Sequence, residues 1–222
     1  MFEQYTGYLW TALFAALVFY SLWQVVSAPF LVRRFYKKLG FSDHGKSAFE
    51  SAEYQPSILL KTLNASHVYR GVYKGNRVEQ FAGFPETRYK FTMSRVQRKR
   101  NQVLWTISIL HSESPLVPFC ARPTTVTDAL EYVLAQDNVT FPDDEPFTNR
   151  VHVTAEDHAL ARKVMTAPVR QYLNNIDPVS LEVVGSLLIL KVPRQPHDTG
   201  NKLNADLNTL VDLFESVKIT SI

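Results

Sequence analysis

The sequence contains a single cysteine, Cys120, so the chain cannot form an internal disulfide bond. That usage is typical of a reducing compartment. The formal net charge is only +3, whereas a nucleic-acid-binding domain is usually strongly basic. With 45% hydrophobic and 20% charged residues and no internal repeat, the composition is that of a folded domain. We therefore predict a globular protein without a nucleic-acid partner.

Charge is also absent near the N-terminus, where no Asp, Glu, Lys or Arg occurs between Glu3 and Arg33. The apolar run at residues 8–30 exceeds the roughly 20 residues, at about 1.5 Å each, that cross the hydrocarbon core of a bilayer. A secretory signal peptide would carry its positive charge before a shorter apolar core. We predict one transmembrane helix within residues 1–32.

The basic residues beside this helix all follow it, and they predict its orientation. They would stay in the cytoplasm, which leaves the N-terminus outside and the rest of the chain inside a bacterial inner membrane. The four residues are Arg33, Arg34, Lys37 and Lys38.

Four small or polar residues in the apolar run are candidates for contact with another membrane helix. Small residues four positions apart let two helices approach closely, and polar side chains hydrogen-bond between helices. An ordinary anchor that tolerates such residues is the alternative interpretation. The candidates are Ala12, Ala16, Ser21 and Gln24.

The rest of the chain predicts an α+β fold, divided into a basic connector at residues 33–66 and a domain at residues 67–222. Alternating apolar residues predict an antiparallel meander with a hairpin turn at Gly75-Asn76. The predicted strands are residues 67–74, 77–83, 89–96, 103–110 and 116–121.

The second half of the domain is predicted to mix helix and strand. After a short strand at residues 151–153, Thr154 and Asp157 would cap a helix over residues 155–166, and Pro168 would begin or kink a further helical piece. A hairpin follows across Gly185-Ser186. The last helix, capped by Thr199, has an apolar face formed by Leu203, Leu207, Leu210, Val211 and Phe214.

The octapeptide GFSDHGKS, Gly40 to Ser47, matches the Walker A pattern, whose candidate nucleotide-binding residues are Gly40, Gly45, Lys46 and Ser47. A functional P-loop connects a buried strand to a helix within a parallel sheet. Here a basic helix tail precedes Gly40, so we interpret the match as accidental, with Gly40 ending that helix.

Two other groups of residues are weak candidates for catalysis or metal binding. Cys120, with Arg122 nearby, would be a nucleophile only beside a positioned base, and a buried structural cysteine is the simpler interpretation. His152, Asp157 and His158 lack the spacing of a zinc site. We therefore predict no catalytic residue, no metal and no cofactor.

A second basic run is predicted at a hairpin tip, formed by Arg95, Arg98, Lys99 and Arg100. Together with the four basic residues after the apolar run, it could hold the domain against anionic lipid, at about 1 kcal/mol per charge. A solvated turn is the alternative.

The layout is similar to that of single-pass accessory proteins of bacterial inner membranes. The leading hypothesis is a non-catalytic, membrane-anchored interaction protein whose domain docks on a protein partner or larger membrane complex. The alternatives are a membrane-tethered enzyme that uses residues 40–47 or Cys120, and a domain that senses anionic lipid.

Overall fold

The computed structural model describes residues 10, 13–16, 18, 29–45, 54–61, 63–85, 104–124, 138–176, 178–194 and 200–218. Eight strands form one sheet in which every neighbouring pair is antiparallel, in the order β1-β2-β3-β4-β8-β7-β5-β6. This confirms the α+β class. The strands are β1 Ser42–Asp43, β2 Leu63–Tyr73, β3 Asn76–Pro85, β4 Leu104–His111, β5 Phe119–Pro123, β6 Val151–Thr154, β7 Ser180–Val184 and β8 Leu187–Arg194.

The β2–β3 hairpin forms as predicted, but its turn lies one residue earlier. Tyr73 pairs with Asn76, which leaves Lys74 and Gly75 as the two-residue loop. Both loop residues have positive φ, 49° and 82°. A type I′ turn requires positive φ at both central positions, and its twist matches that of the strands.

The predicted meander is wrong at two steps. The strand predicted at residues 89–96, which lies outside the described residues, would separate β3 from β4, but these two strands pair directly. The second wrong step is the one from β4 to β5. The later hairpin β7–β8 enters the sheet between them, with β8 paired to β4 and β7 paired to β5. The reason is burial: residues 187–190 of β8 are all buried. A strand that is apolar on both faces belongs in the middle of a sheet rather than at its edge.

The described residues after β5 include four helices: α1 Glu145–Arg150, α2 His158–Val164, α3 Ala167–Asn175 and α4 Gly200–Lys218. The sequence did not predict α1. The start predicted for α2 was too early, because Asp157 is the N-cap and its Oδ1 accepts a hydrogen bond from the Leu160 amide at 2.9 Å. The predicted apolar face of α4 is confirmed, since its five named residues are buried.

Two apolar clusters lie on opposite faces of the sheet. On the helix-covered face, residues of α1 to α4 pack against alternate strand residues such as Leu181 and Leu190. On the second face, the turns at residues 54–61 cover Phe81, Ile107 and Ile189. The helix-covered cluster also receives residues from the N-terminal part of the chain.

The N-terminal residues that the structure describes are helical at positions 10, 13–16, 18 and 29–38. Within the described ranges, no helix combines the length and apolarity needed to cross a membrane. Most of the predicted span at residues 8–30 lies outside those ranges. So do three of the four candidate helix-contact residues, Ala12, Ser21 and Gln24, whereas Ala16 is helical and exposed.

Candidate anion-binding groove

The helical residues 29–38 are amphipathic, and their apolar side packs on the domain. Val32, Phe35, Tyr36 and the following Leu39 recur at helical spacing and belong to the helix-covered cluster. The opposite side carries the four predicted basic residues, Arg33, Arg34, Lys37 and Lys38, all of them exposed. The helix therefore presents positive charge outward while its other side is part of the core.

Tyr36 joins this helix to the sheet through a buried hydrogen-bond network. Its hydroxyl donates to Gln80 Oε1 at 2.8 Å, and Gln80 Nε2 donates to Ser108 Oγ at 2.8 Å and to the Leu203 carbonyl at 3.3 Å. The Tyr36 ring stacks on Tyr69 with centroids 4.0 Å apart. Tyr36 thus connects the N-terminal helix directly with β2 and β3. Through Gln80 the network extends to β4 and α4.

Two glycines provide space for the aromatic residues of this helix and its C-terminal turn. A Cβ atom on Gly71 of β2 would lie 2.3 Å from Cδ1 of Phe41, and one on Gly200 would lie 2.6 Å from Cδ2 of Phe35. Contacts this short are not tolerated in folded proteins without displacement. Phe41 and Phe35 therefore pack directly on backbone, which fixes the helix against the domain.

The helix ends at Gly40, in the left-handed conformation expected for a C-terminal cap. Gly40 has φ 76°, and the Phe41 amide donates to the Tyr36 carbonyl at 2.9 Å. At least four amides of the Walker-like octapeptide have partners within the chain. Besides Phe41, Gly40 donates to the Lys37 carbonyl, His44 to the Val68 carbonyl and Gly45 to Asp43 Oδ1. A phosphate would need such amides free. Lys46 and Ser47 lie outside the described residues.

The same octapeptide brings a hydroxyl close to an imidazole without forming a catalytic relay. Ser42 Oγ lies 2.8 Å from His44 Nε2 and donates to the Arg70 carbonyl at 3.3 Å. The acid of the stretch, Asp43, contacts His67 Nδ1 at 3.1 Å instead of His44. A triad requires the acid to orient the same imidazole that activates the hydroxyl.

A groove of about 850 Å³ lies between the basic helix side and the edge of the sheet. All four basic residues line it, together with the rings of Tyr36, Phe41 and Tyr69. Burial raises the pKa of the Tyr36 and Tyr69 hydroxyls, and nearby Arg194 partly offsets that rise. The groove thus has an aromatic wall and a cationic wall.

Among the described residues that line this groove, Asp43 is the one carboxylate. Burial acts to raise its pKa, but the Gly45 amide, His67 and the charge of Arg33 outweigh that effect and hold the pKa below its usual value. Four cations face this single anion. The groove therefore carries excess positive charge.

Two buried acids on the second face were missed by sequence reasoning. Glu79 is fully buried and is contacted by Arg70 Nε at 2.9 Å, by His111 Nε2 at 3.0 Å and by the Tyr54 hydroxyl. In the sequence, Glu79 alternates with apolar residues of β3, which is equally typical of a solvent-facing position.

The second buried acid, Glu182 of β7, binds the turn at residues 54–61. It accepts hydrogen bonds from Ser57 Oγ at 2.5 Å, the Ile58 amide at 2.7 Å and the Leu59 amide at 3.0 Å. Glu182 and Glu79 thus both join this turn to the sheet. Glu182 does so through Ser57, Ile58 and Leu59, and Glu79 does so through Tyr54. We interpret both as structural.

The remaining candidates fall into three groups. Cys120 is buried on the second face. His152 lies in β6, as the strand predicted at residues 151–153 implies, and its side chain is buried. In the part of the chain that the structure describes, no three His, Cys, Asp or Glu side chains are grouped to hold a metal ion. The basic tip at Arg95, Arg98, Lys99 and Arg100 lies outside that part.

Comparison with known proteins gives a likeness to a solved structure. No protein-family model and no curated protein matches the chain. The crystal structure of the mycobacterial trehalose monomycolate transport factor A, TtfA, is similar with a TM-score of 0.51 and 12% sequence identity. The likeness covers 86% of this chain and 96% of that chain. At this identity, what the two share is the fold.

Proposed function

We propose that the protein is a non-catalytic, single-pass accessory protein of a bacterial inner membrane. Residues 8–30 anchor it with the N-terminus outside, and the α+β domain docks in the cytoplasm on a protein partner or larger membrane complex. The observation that carries the proposal is the helix at residues 29–38. It directly follows the apolar run and is packed into the domain core.

The exposure of the apolar N-terminal residues supports an anchor. Trp10 and Phe14 are each 70% exposed and Leu13 is 52% exposed, and all three are helical. Large apolar side chains on a helix require a nonpolar environment. A bilayer provides one for the whole run.

The direct packing of the helix supports a docking role rather than a tether. A flexible linker would let the domain move freely beneath the membrane. Here Tyr36 and the glycine contacts of Phe35 and Phe41 fix the first turns after the apolar run to the sheet. The domain would therefore be presented to a partner at a fixed height and orientation.

The fold likeness supports the accessory role. TtfA is named as a trehalose monomycolate transport factor. We extend this coarse role, assistance to a membrane process, to the present chain. The membrane-helix contact would be made by Ala12, Ala16, Ser21 and Gln24.

The test begins with the location of the full-length protein. We expect it to stay in the membrane fraction after a carbonate wash, and reporters fused to either end should place the N-terminus outside. Release by carbonate, or the reverse topology, would contradict the anchor.

The second part of the test is the partner. Purification of the full-length protein in a mild detergent, followed by mass spectrometry, should recover a stoichiometric membrane protein. Replacing Ala12 and Ala16 with Leu should reduce that recovery, whereas Phe14→Leu, on the opposite side of the helix, should not. A protein that purifies alone and monodisperse would contradict the docking role.

A further inference from the structure

The groove beside residues 29–38 has the charge, size and position of a lipid-headgroup site. We propose that it binds the headgroup of one anionic glycerophospholipid, such as phosphatidylglycerol, from the leaflet that faces the domain. This inference rests on the proposed anchor and specifies what the domain binds at the membrane.

The charge of the groove selects an anion. Arg33, Arg34, Lys37 and Lys38 line it and are exposed, and within the described residues none of them takes part in an ion pair. The lining carboxylate, Asp43, is already occupied by His67 and the Gly45 amide. The four cations are therefore available to a phosphodiester, which guanidinium groups bind with paired hydrogen bonds.

The position of the groove selects a lipid. Phe30 is the last residue of the apolar run, is 67% exposed and lines the groove. At about 1.5 Å per residue, Arg33 and Arg34 lie about 5 Å beyond it, and Lys37 and Lys38 about 11 Å beyond it. The headgroup layer is roughly 5–7 Å thick on each side of the hydrocarbon core. The two arginines would thus lie within the headgroup layer. The lysines would lie on its water side, from where their long side chains can reach back to the phosphates.

The shape of the groove selects a single molecule rather than a surface. Its volume of about 850 Å³ is within the range of small-molecule sites, which is about 300–1,000 Å³. The rings of Tyr36, Phe41 and Tyr69 line it together with the cations, and Phe30 would contact the upper part of an acyl chain. A diffuse basic patch would attract many lipids loosely, whereas this groove predicts one bound lipid per chain.

The experiment uses the full-length protein in a neutral detergent. Native mass spectrometry counts bound phosphatidylglycerol and phosphatidylcholine, whose acyl chains are the same and whose net headgroup charges differ. The groove variant is Arg34→Gln/Lys38→Gln. The matched control, Lys61→Gln/Lys163→Gln, removes two exposed lysines that do not line the groove.

We expect the unmodified protein to bind one phosphatidylglycerol at least ten-fold more tightly than phosphatidylcholine. The groove variant should reduce that preference to about two-fold, and the control should preserve it. Because the replaced side chains are exposed, the variants should fold, and circular dichroism checks this. A preference that survives in the groove variant, or that falls equally in the control, overturns the proposal.

A thermal-unfolding experiment distinguishes binding of a lipid from binding of free phosphate. Phosphatidylglycerol should raise the unfolding temperature of the unmodified protein, and sodium phosphate at millimolar concentration should not. Equal stabilisation by both would overturn the lipid assignment in favour of a phosphate site. If the protein stays in the membrane but shows no headgroup preference, this inference is overturned and the proposed anchor is not affected. If carbonate releases the protein from the membrane, the anchor itself is overturned.

Discussion

The Tyr36 hydroxyl donates a 2.8 Å hydrogen bond to Oε1 of Gln80, 44 residues further along the chain. Both side chains are buried, so the bond lies where water does not compete with it. It joins the helix after the apolar run to a central strand of the sheet. Anything that moves the helix must break this bond or move the sheet with it.

Tyr36→Phe should lower the free energy of unfolding by about 1–3 kcal/mol, because the buried Gln80 oxygen loses its donor. Urea titration of the full-length protein in mild detergent measures this. Tyr73→Phe is the matched control: its hydroxyl bonds Asn204 and Asn208 in a partly buried setting, where water can replace it. A larger loss for Tyr73→Phe would contradict the role given to Tyr36.

Gly71→Ala should loosen the helix from the domain, because the new methyl group would occupy the space of the Phe41 ring. Overpacking of this kind costs about 1–3 kcal/mol. Trypsin cleavage after Arg33, Arg34, Lys37 and Lys38 should be several-fold faster in the variant.

Gly83→Ala is the matched control for Gly71→Ala. Its Cβ would lie 3.1 Å from Ile107 Cγ1 and 3.3 Å from Leu63 Cδ1, and a small shift of these two side chains would relieve both contacts. Cleavage should stay close to that of the unmodified protein. Equal acceleration by both variants would mean that the Phe41 contact does not hold the helix.

The elements that the sequence predicted best are those whose signal is local. The apolar face of α4 and the β7–β8 hairpin follow from periodicity and turn residues, which act within a few positions. Strand order depends instead on which strands are buried on both faces. Predicting it requires comparing the apolar character of all the strands in the domain. Residues 187–190 are continuously apolar, and this was the available signal for a central β8.

The groove could be predicted only in part. The basic residues beside the apolar run were identified from charge alone. Their arrangement along one side of the groove could not be predicted, because it depends on the burial of Tyr36 on the other side of the helix. Glu79 and Glu182 were missed for a similar reason. Their partners are distant in sequence: Ser57 lies 125 residues from Glu182.

The Walker-like octapeptide should not bind nucleotide. The amides of Phe41, His44 and Gly45 donate to Tyr36, Val68 and Asp43, so phosphate would have to displace each of these bonds. Isothermal titration with MgATP should show no saturable heat, and Lys46→Ala should change the free energy of unfolding by less than about 0.5 kcal/mol. Saturable binding that Lys46→Ala abolishes would contradict this interpretation.

Glu182→Ala should release the turn at residues 54–61 from the sheet. The variant leaves the amides of Ile58 and Leu59 without their acceptor, and hydrogen bonds to a charged group contribute about 1.5–3 kcal/mol each. Hydrogen exchange of these two amides should accelerate at least ten-fold. Glu156→Ala, which replaces an exposed acid, is the control and should leave their exchange unchanged.

Glu79 should make the stability of the fold depend on pH in the acid range. Burial acts to raise its pKa, but hydrogen bonds from His111 and Tyr54 and the charge of Arg70 outweigh burial and hold the pKa below the usual value for glutamate. A carboxyl whose pKa is lower in the folded state stabilises that state above the unfolded-state pKa of about 4.3. This contribution is lost as the pH falls through the folded-state pKa.

Glu79→Gln should therefore cost most at neutral pH, about 3 kcal/mol, because Arg70 loses its buried partner. On acidification below about pH 4.3, the unmodified protein loses the ionised carboxylate as well, so the difference between the two should narrow. Urea titrations between pH 7 and pH 3 measure this, with the exposed Glu113→Gln as control. Parallel curves for the unmodified protein and Glu79→Gln would show that Glu79 is not ionised in the folded state, and the network with Arg70, His111 and Tyr54 would then need a different assignment of protons.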